Sequence, residues 1–282
     1  LGVVTERQGD YTTAQSFYTE SLTLKRKRND PHGIAVTLNN LGVVAECQGD
    51  YTTAQSLYEE SLTLKRRLND KSNTARSLGN LGRLAARQGL VSVARARLDE
   101  GLAISRAIES KPLIGLALNG LGLLAEVQGD FELAQTHYQE SLALRWEIDE
   151  KHGIIECLTG VASVDMRLGW AERAVNLLGG AQALREQLGV CPSPIDKRRQ
   201  EEILAMAQSK LGATIFKRAW AYGQSLSLER LINLARQTPM TTVPPLQTEQ
   251  ARGAQRPALN TPQGTGDTLT RRADELLHRF RS

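Results

Sequence analysis

The chain has 282 residues, of which 40% are hydrophobic, 23% charged and only 5% aromatic, with a formal net charge of +4. Such a composition suits a soluble globular protein with a Leu- and Ala-rich helical core, and the positive balance is too slight to argue for nucleic-acid binding by itself. The three cysteines, Cys47, Cys157 and Cys191, lack the spacing of a disulfide framework or a zinc site, and the expected setting is reducing and cytoplasmic.

No apolar run approaches the length of a membrane span, and no signal peptide is present, so no membrane association is expected. The sequence opens Leu1-Gly2-Val3-Val4, part-way through a repeat, and reads as a fragment of a longer protein.

Residues 1–40 and 41–80 match at 27 of 40 positions without a gap. Residues 81–120 and 121–160 keep that frame, and 161–190 follow it as a decayed fifth copy. Gly9, Gly49, Gly89, Gly129 and Gly169 form one column, and Ala14, Ala54, Ala94, Ala134 and Ala174 a second. Leu24, Leu64, Ile104, Leu144 and Leu184 form a third. Each copy reads as two helices, in the second copy Gly33–Gln48 and Tyr51–Leu68. Gly49 stands where the first helix must end, since glycine enters the left-handed conformation without a Cβ clash. Asp50 is the expected N-cap of the second helix. Asp10 and Asp130 repeat this arrangement, whereas Leu90 and Trp170 predict weaker turns in copies three and five. Ala54, Tyr58 and Leu62 share one helical face. Gly42 and Ala54, both small, are expected to let the two helices approach closely. One such pair cannot bury its apolar face alone, and stacked neighbours make a continuous core.

The pattern Leu41-Gly42, Ala45, then Ala54 and Tyr58 resembles the tetratricopeptide repeat, in the long variant with a forty-residue period. Leu38 stands where that family often has Trp, and Arg66 where it often has Pro. The resemblance covers residues 1 to about 190. It implies an all-α, right-handed superhelical solenoid of antiparallel helix pairs that binds a protein or peptide partner in its concave groove. Carried onto this frame, the groove candidates are Asn39, Asn40, Glu46, Arg76, Asn80, Arg83, Arg87, Asn119 and Glu126. Amides can bond a peptide backbone, and arginines can fork onto carboxylate or phosphate. The alternative is that these residues only solvate the groove or bond neighbouring helices.

After Cys191-Pro192-Ser193-Pro194 the frame is lost. Helical periodicity continues over Ile195–Leu211, Thr214–Tyr222 and Leu228–Arg236, and residues 191–236 are expected to cap the solenoid. Residues 237–268, rich in Pro, Thr, Gln and Gly, predict a disordered linker. Residues 269–282 predict a short basic helix. The run Ala174–Glu186, with its Leu-Leu-Gly-Gly-Ala, and the run Phe216–Glu229 resemble the repeat region of bacterial signal-transduction ATPases and LuxR-type transcriptional regulators. Leu269–Leu277 resembles the opening of a LuxR-type helix-turn-helix, with Ala273 in place of the usual Glu. This resemblance implies a sensor or partner-binding arm with nucleotide-binding and DNA-binding domains as neighbours. The rival reading is a truncated DNA-binding transcription factor, although no recognition helix follows within the chain, so direct nucleic-acid binding is not expected of it.

No set of nucleophile, base or metal ligands converges, so neither enzyme activity nor a cofactor is expected. Gly120-Leu-Gly122-Leu-Leu-Ala125 has the glycine spacing of a dinucleotide fingerprint, but it lies inside an expected helix rather than between a strand and a helix N-terminus. His32 and His152 fall in expected inter-repeat turns, and no metal site is expected. Lys25-Arg26-Lys27-Arg28 and Lys65-Arg66-Arg67 read as solvated C-terminal helix ends, where cations oppose the helix dipole.

Overall fold

The structure, a computed structural model, describes residues 1–237. The expected linker beyond Gln237 and the terminal basic helix lie outside the described residues. The described chain is a helical solenoid with no strand among the described residues. In chain order the helices are α1 (Gly2–Arg7), α2 (Tyr11–Lys27), α3 (Pro31–Cys47), α4 (Tyr51–Arg67), α5 (Lys71–Arg87) and α6 (Val91–Ala107). They continue as α7 (Lys111–Gln128), α8 (Phe131–Glu147), α9 (Lys151–Arg167), α10 (Ala171–Leu188), α11 (Pro194–Ser225) and α12 (Leu228–Arg236). From α1 to α11 each helix packs on its chain neighbours, α12 packs on α10, α8 and α9, and odd-numbered helices also meet across repeats, α5 with α7 and α7 with α9.

Two kinds of turn alternate. Within a repeat, Gly9, Gly49, Gly89, Gly129 and Gly169 all adopt positive φ, between 72° and 92°. Between repeats the left-handed residue is Asn29, Asn69, Glu109 or Asp149, at φ 49–53°. Asparagine and aspartate tolerate that region better than most residues. The side chains of Asp10, Asp50 and Asp130 accept hydrogen bonds from the backbone N–H of Thr13, Thr53 and Leu133 at 3.0–3.1 Å. Leu90 and Trp170 make no such bond, but their own N–H groups still close the turn, onto Ala85 and Asp165 carbonyls at 2.9 and 2.8 Å. Those two turns therefore lack the cap and keep the geometry. Asp30 supplies a further cap, accepting from Gly33 N at 2.8 Å. It starts α3 at Pro31, two residues before the expected start, because proline fits the first helical turn. His32 and His152 accordingly sit in the first turns of α3 and α9, not in the connecting turns.

The core is a series of inter-repeat clusters that grows toward the C-terminal end, where α8, α9 and α10 pack with α11 and α12. α11 breaks direction at Gly212 (φ 72°, ψ 164°). Its second half comes so close to α10 that a Cβ on Gly179 would lie 2.6 Å from the Trp220 carbonyl oxygen, and one on Gly223 would collide with that of Asn176. The Gly179-Gly180 pair, where the fifth copy decays, is thus the seat on which the following helices cross α10. Gly180 faces Leu231 of α12.

Candidate functional site

The two helices of a repeat are joined by a Tyr–Glu pair set twelve residues apart. The hydroxyls of Tyr18, Tyr58 and Tyr138 donate to Glu6, Glu46 and Glu126 at 2.9, 2.9 and 3.1 Å. Copy three has Ala86 and Leu98 at these two positions, and copy five Met166 and Leu178. Both members are polar or both apolar, since a buried hydroxyl without its acceptor would be costly. The ring of each second helix is received by the glycine of the first. A Cβ on Gly42 would lie 2.6 Å from the Tyr58 ring, and one on Gly122 2.8 Å from Tyr138. Gly42 therefore makes room for an aromatic ring rather than for Ala54, as the sequence had suggested. Gly120 and Gly122, the fingerprint-like pair, lie within α7 and accept Leu98 and Tyr138.

A second column runs through the interior. Lys25 donates to the Gly33 carbonyl at 3.2 Å and to Thr37 Oγ1 at 2.9 Å. Lys65 donates to Ser77 Oγ at 2.9 Å and to Asn39 Oδ1 at 3.5 Å, with only 1% of its surface exposed. Arg145 bonds Ser141 and Glu150, and Arg185 bonds Gln200 and Thr159. These cations turn inward and link neighbouring helices, which corrects the expectation of solvated helix ends for Lys25 and Lys65. The rest of each basic run, Arg26, Lys27 and Arg28 in copy one and Arg66 and Arg67 in copy two, stays exposed as expected. Arg26, Arg66 and Arg106 pair with Glu60, Glu100 and Glu140 of the following repeat, all well exposed. Burial, with Arg76 nearby, pushes the Lys65 ammonium down to about 8.

The nine groove candidates divide into three groups. Asn39 and Asn80 are buried in the inter-repeat seam, where Asn39 Oδ1 accepts from Ser77 Oγ at 3.2 Å and Asn80 Nδ2 at 3.3 Å. Asn40 is half-buried and Arg76 exposed, with no hydrogen bond or ion pair to another described residue. Glu46, Arg83 and Arg87 come together at one recess, Asn119 is buried beside the two arginines, and Glu126 lines an adjoining groove with Arg87. In the recess Arg83 reaches Glu46 at 3.5 Å and Glu156 at 3.9 Å, and Arg87 reaches Glu46 at 3.4 Å. Asn119 lies beside Cys157 Sγ at 3.7 Å.

The residues that sequence reasoning missed come mainly from outside the frame. Asp196, in the first turn of α11, accepts from Arg87 at 3.2 Å. Arg199 of the same helix pairs with Glu126, and Gln200 accepts from Arg185 at 2.8 Å. The start of α11 thus fills part of the concave face with its own charges. Desolvation alone would raise the Asp196 carboxyl, but Arg87, the Ser193 hydroxyl and Arg83 outweigh it and hold the group below the usual carboxylate range. Glu46 in turn raises the Arg83 guanidinium. A cavity of about 200 Å³ remains, walled by Glu46, Arg83, Arg87, Glu156, Arg185 and Asp196. Cys47 also lines it, and burial followed by the Glu46 charge pushes its thiol up to about 12, which makes it a poor nucleophile. The Nε atom of Arg83 is buried without a hydrogen-bond acceptor. Among the described residues no group of three His, Cys, Asp or Glu side chains is placed to hold a metal ion, and no helix is long and apolar enough to cross a membrane.

The tetratricopeptide-repeat family model matches residues 1–67 and 33–107. No curated protein matches the sequence. Among solved structures, BtubC (BKLC) from P. vanneervenii is similar at 15% identity, over 92% of this chain and 98% of that one, with a TM-score of 0.52. A putative kinesin light chain of Podosopora anserina, with nearly identical TPR-like repeats, aligns at 13% identity over 75% of this chain and 93% of that one, with a TM-score of 0.43. At such identity the likeness to BtubC speaks for the fold alone. Residues 1–107 match the tetratricopeptide-repeat model, and the same helix-pair plan runs on through α10.

Proposed function

We propose that this chain is a non-catalytic protein–protein interaction scaffold, the sensor or partner-binding arm of a bacterial signalling or transcriptional regulator. The observation that carries the scaffold reading is the recess of about 200 Å³ walled by Glu46, Arg83, Arg87 and Asp196, beside a smaller one that Asn119 lines. A partner's carbonyl or carboxylate entering the recess would meet the accessible edge of the Arg83 guanidinium, whose side chain is 17% exposed. Glu126 extends the same face, while Asn39 and Asn80 hold the helices that present it. The regulator context is supported by the resemblance of Ala174–Glu186 and Phe216–Glu229 to the repeat region of such proteins. Nucleotide-binding and DNA-binding domains are then its natural neighbours.

The test is a peptide-display selection on the chain, followed by calorimetric titration of the selected peptides. Arg83→Ala should lower affinity for an acidic peptide about tenfold, the loss expected of one charge-assisted contact, without changing the helical circular dichroism. Unchanged affinity for every selected peptide would remove the recess from the binding surface. The resemblance of Leu269–Leu277 to a helix-turn-helix opening favours one rival, a DNA-binding factor. A mobility-shift assay at physiological salt should give no sequence-specific complex, and a specific complex would favour the rival.

A further inference from the structure

Beside the recess a second, open groove of about 620 Å³ runs between α11 and the ends of the first helices. Its apolar floor is Leu123, Val127, Phe131 and Ile195, and Val127 is 47% exposed. The walls carry four arginines, Arg87, Arg167, Arg198 and Arg199, against two carboxylates, Glu126 and Glu202. Arg87 is committed to Glu46 and Asp196, and Arg199 to Glu126. Arg167 and Arg198 are exposed and have neither an ion pair nor a hydrogen bond to any described residue. One stands on the repeat wall, at the end of α9, and the other on α11. An uncommitted cation on each side of an apolar floor calls for a ligand with apolar anchors between negative charges.

We infer that this groove docks an acidic, apolar-anchored peptide segment of another protein, held between Arg167 and Arg198. The inference rests on reading the chain as an interaction scaffold. Charge decides the occupant. Residues 239–282 carry six arginines and four carboxylates, and a second copy of the chain is net +4. Both would be repelled by the free arginines, whereas an acidic segment is attracted and steered to them. Leucine or phenylalanine anchors would cover the floor that water now touches.

The experiment uses the full chain and fluorescence anisotropy of three labelled peptides. The first has glutamates flanking leucine and phenylalanine, the second has lysine for each glutamate, and the third has glycine for each apolar residue. The first should bind and the other two should bind far more weakly. Joint Arg167→Glu and Arg198→Glu substitution should weaken the first by about tenfold or more, and the Arg167→Gln, Arg198→Gln pair by an intermediate factor, with unchanged circular dichroism in both. No binding of the first peptide, equal binding of the lysine peptide, or unchanged affinity in the charge-reversed variant would overturn the inference. Loss with Arg83→Ala but not with the Arg167 and Arg198 variants would keep the scaffold reading and discard this groove.

Discussion

The two faces of the repeat stack use the same residue types to different ends. On the outer face, Arg26, Arg66 and Arg106 meet Glu60, Glu100 and Glu140 across repeats, with side chains roughly half in water. On the inner face Glu46 is 4% exposed and takes Tyr58, Arg83 and Arg87 together. The outer pairs follow from the period alone and cost little to break, because water replaces either partner. The inner set was assembled against a desolvation cost, and each member depends on the others. The same Arg–Glu chemistry is therefore decoration outside and structure inside.

The largest effect that would test this contrast is Glu46→Ala. It leaves the Tyr58 hydroxyl and two guanidinium groups short of an acceptor and should lower unfolding free energy by about 3–5 kcal/mol, the range for breaking a buried pair. Urea unfolding monitored by circular dichroism measures it. A loss below that of an ordinary surface substitution would mean the inner network is as loose as the outer one. Adding Tyr58→Leu, which installs the Ala–Leu pair of copy three, should recover part of the loss.

Second in size is a pH effect at Lys65. Its folded pKa, about 8, lies below the unfolded value of 10.5, so between those limits the unfolded chain binds more protons and stability rises with pH. Below about pH 8 both states are charged and the burial cost is fully present. Relative to Lys65→Met, the wild type should gain of order 2 kcal/mol from pH 8 to 10. Parallel stability curves for the two proteins over that range would show that the ammonium is not desolvated. A smaller effect is expected at Asp70, which accepts from Asn73 N at 3.0 Å and from its side chain at 2.7 Å. Asp70→Ala should cost about 1 kcal/mol, as loss of an N-cap does, and a neutral result would place the stability of α5 in its packing alone.

How legible these features were follows from where their causes lie. The helix pairs, the left-handed glycines and the Asp10, Asp50 and Asp130 caps are local, and a forty-residue frame displays each of them several times. The Tyr–Glu pairing was equally present in the frame, as a column that switches to Ala–Leu and Met–Leu, but an interval of twelve residues spans a turn and matches no helical period. The inward path of Lys65 and Arg145 depends on which neighbour the helix end meets. Residue type and the helix dipole both pointed to solvent. Asp196 and Arg199 were out of reach for another reason: α11 lies outside the repeat frame, and only the fold brings it against α5 and α7. Glu46, Arg83, Arg87 and Glu126 line the cavities because the repeat sets the orientation of the first helices, while Asn39 is drawn into the seam by Lys65 and Ser77, Asn80 by Asn39, and Asn119 beside Cys157.

The smallest effect belongs to the outer face. Arg66→Ala removes the cation facing Glu100, and both side chains are exposed by more than 40%, so stability should change by no more than about 0.5 kcal/mol. Raising salt should erase even that difference, because ions screen an exposed pair within about 10 Å at 0.1 M. Glu46→Ala should keep its full cost at the same salt, since its partners are enclosed by protein. Measuring both variants at low and high salt therefore separates the faces more sharply than either value alone. If Arg66→Ala proved costly and salt-insensitive, the outer ladder would have to be counted with the inner network as part of what joins repeat to repeat.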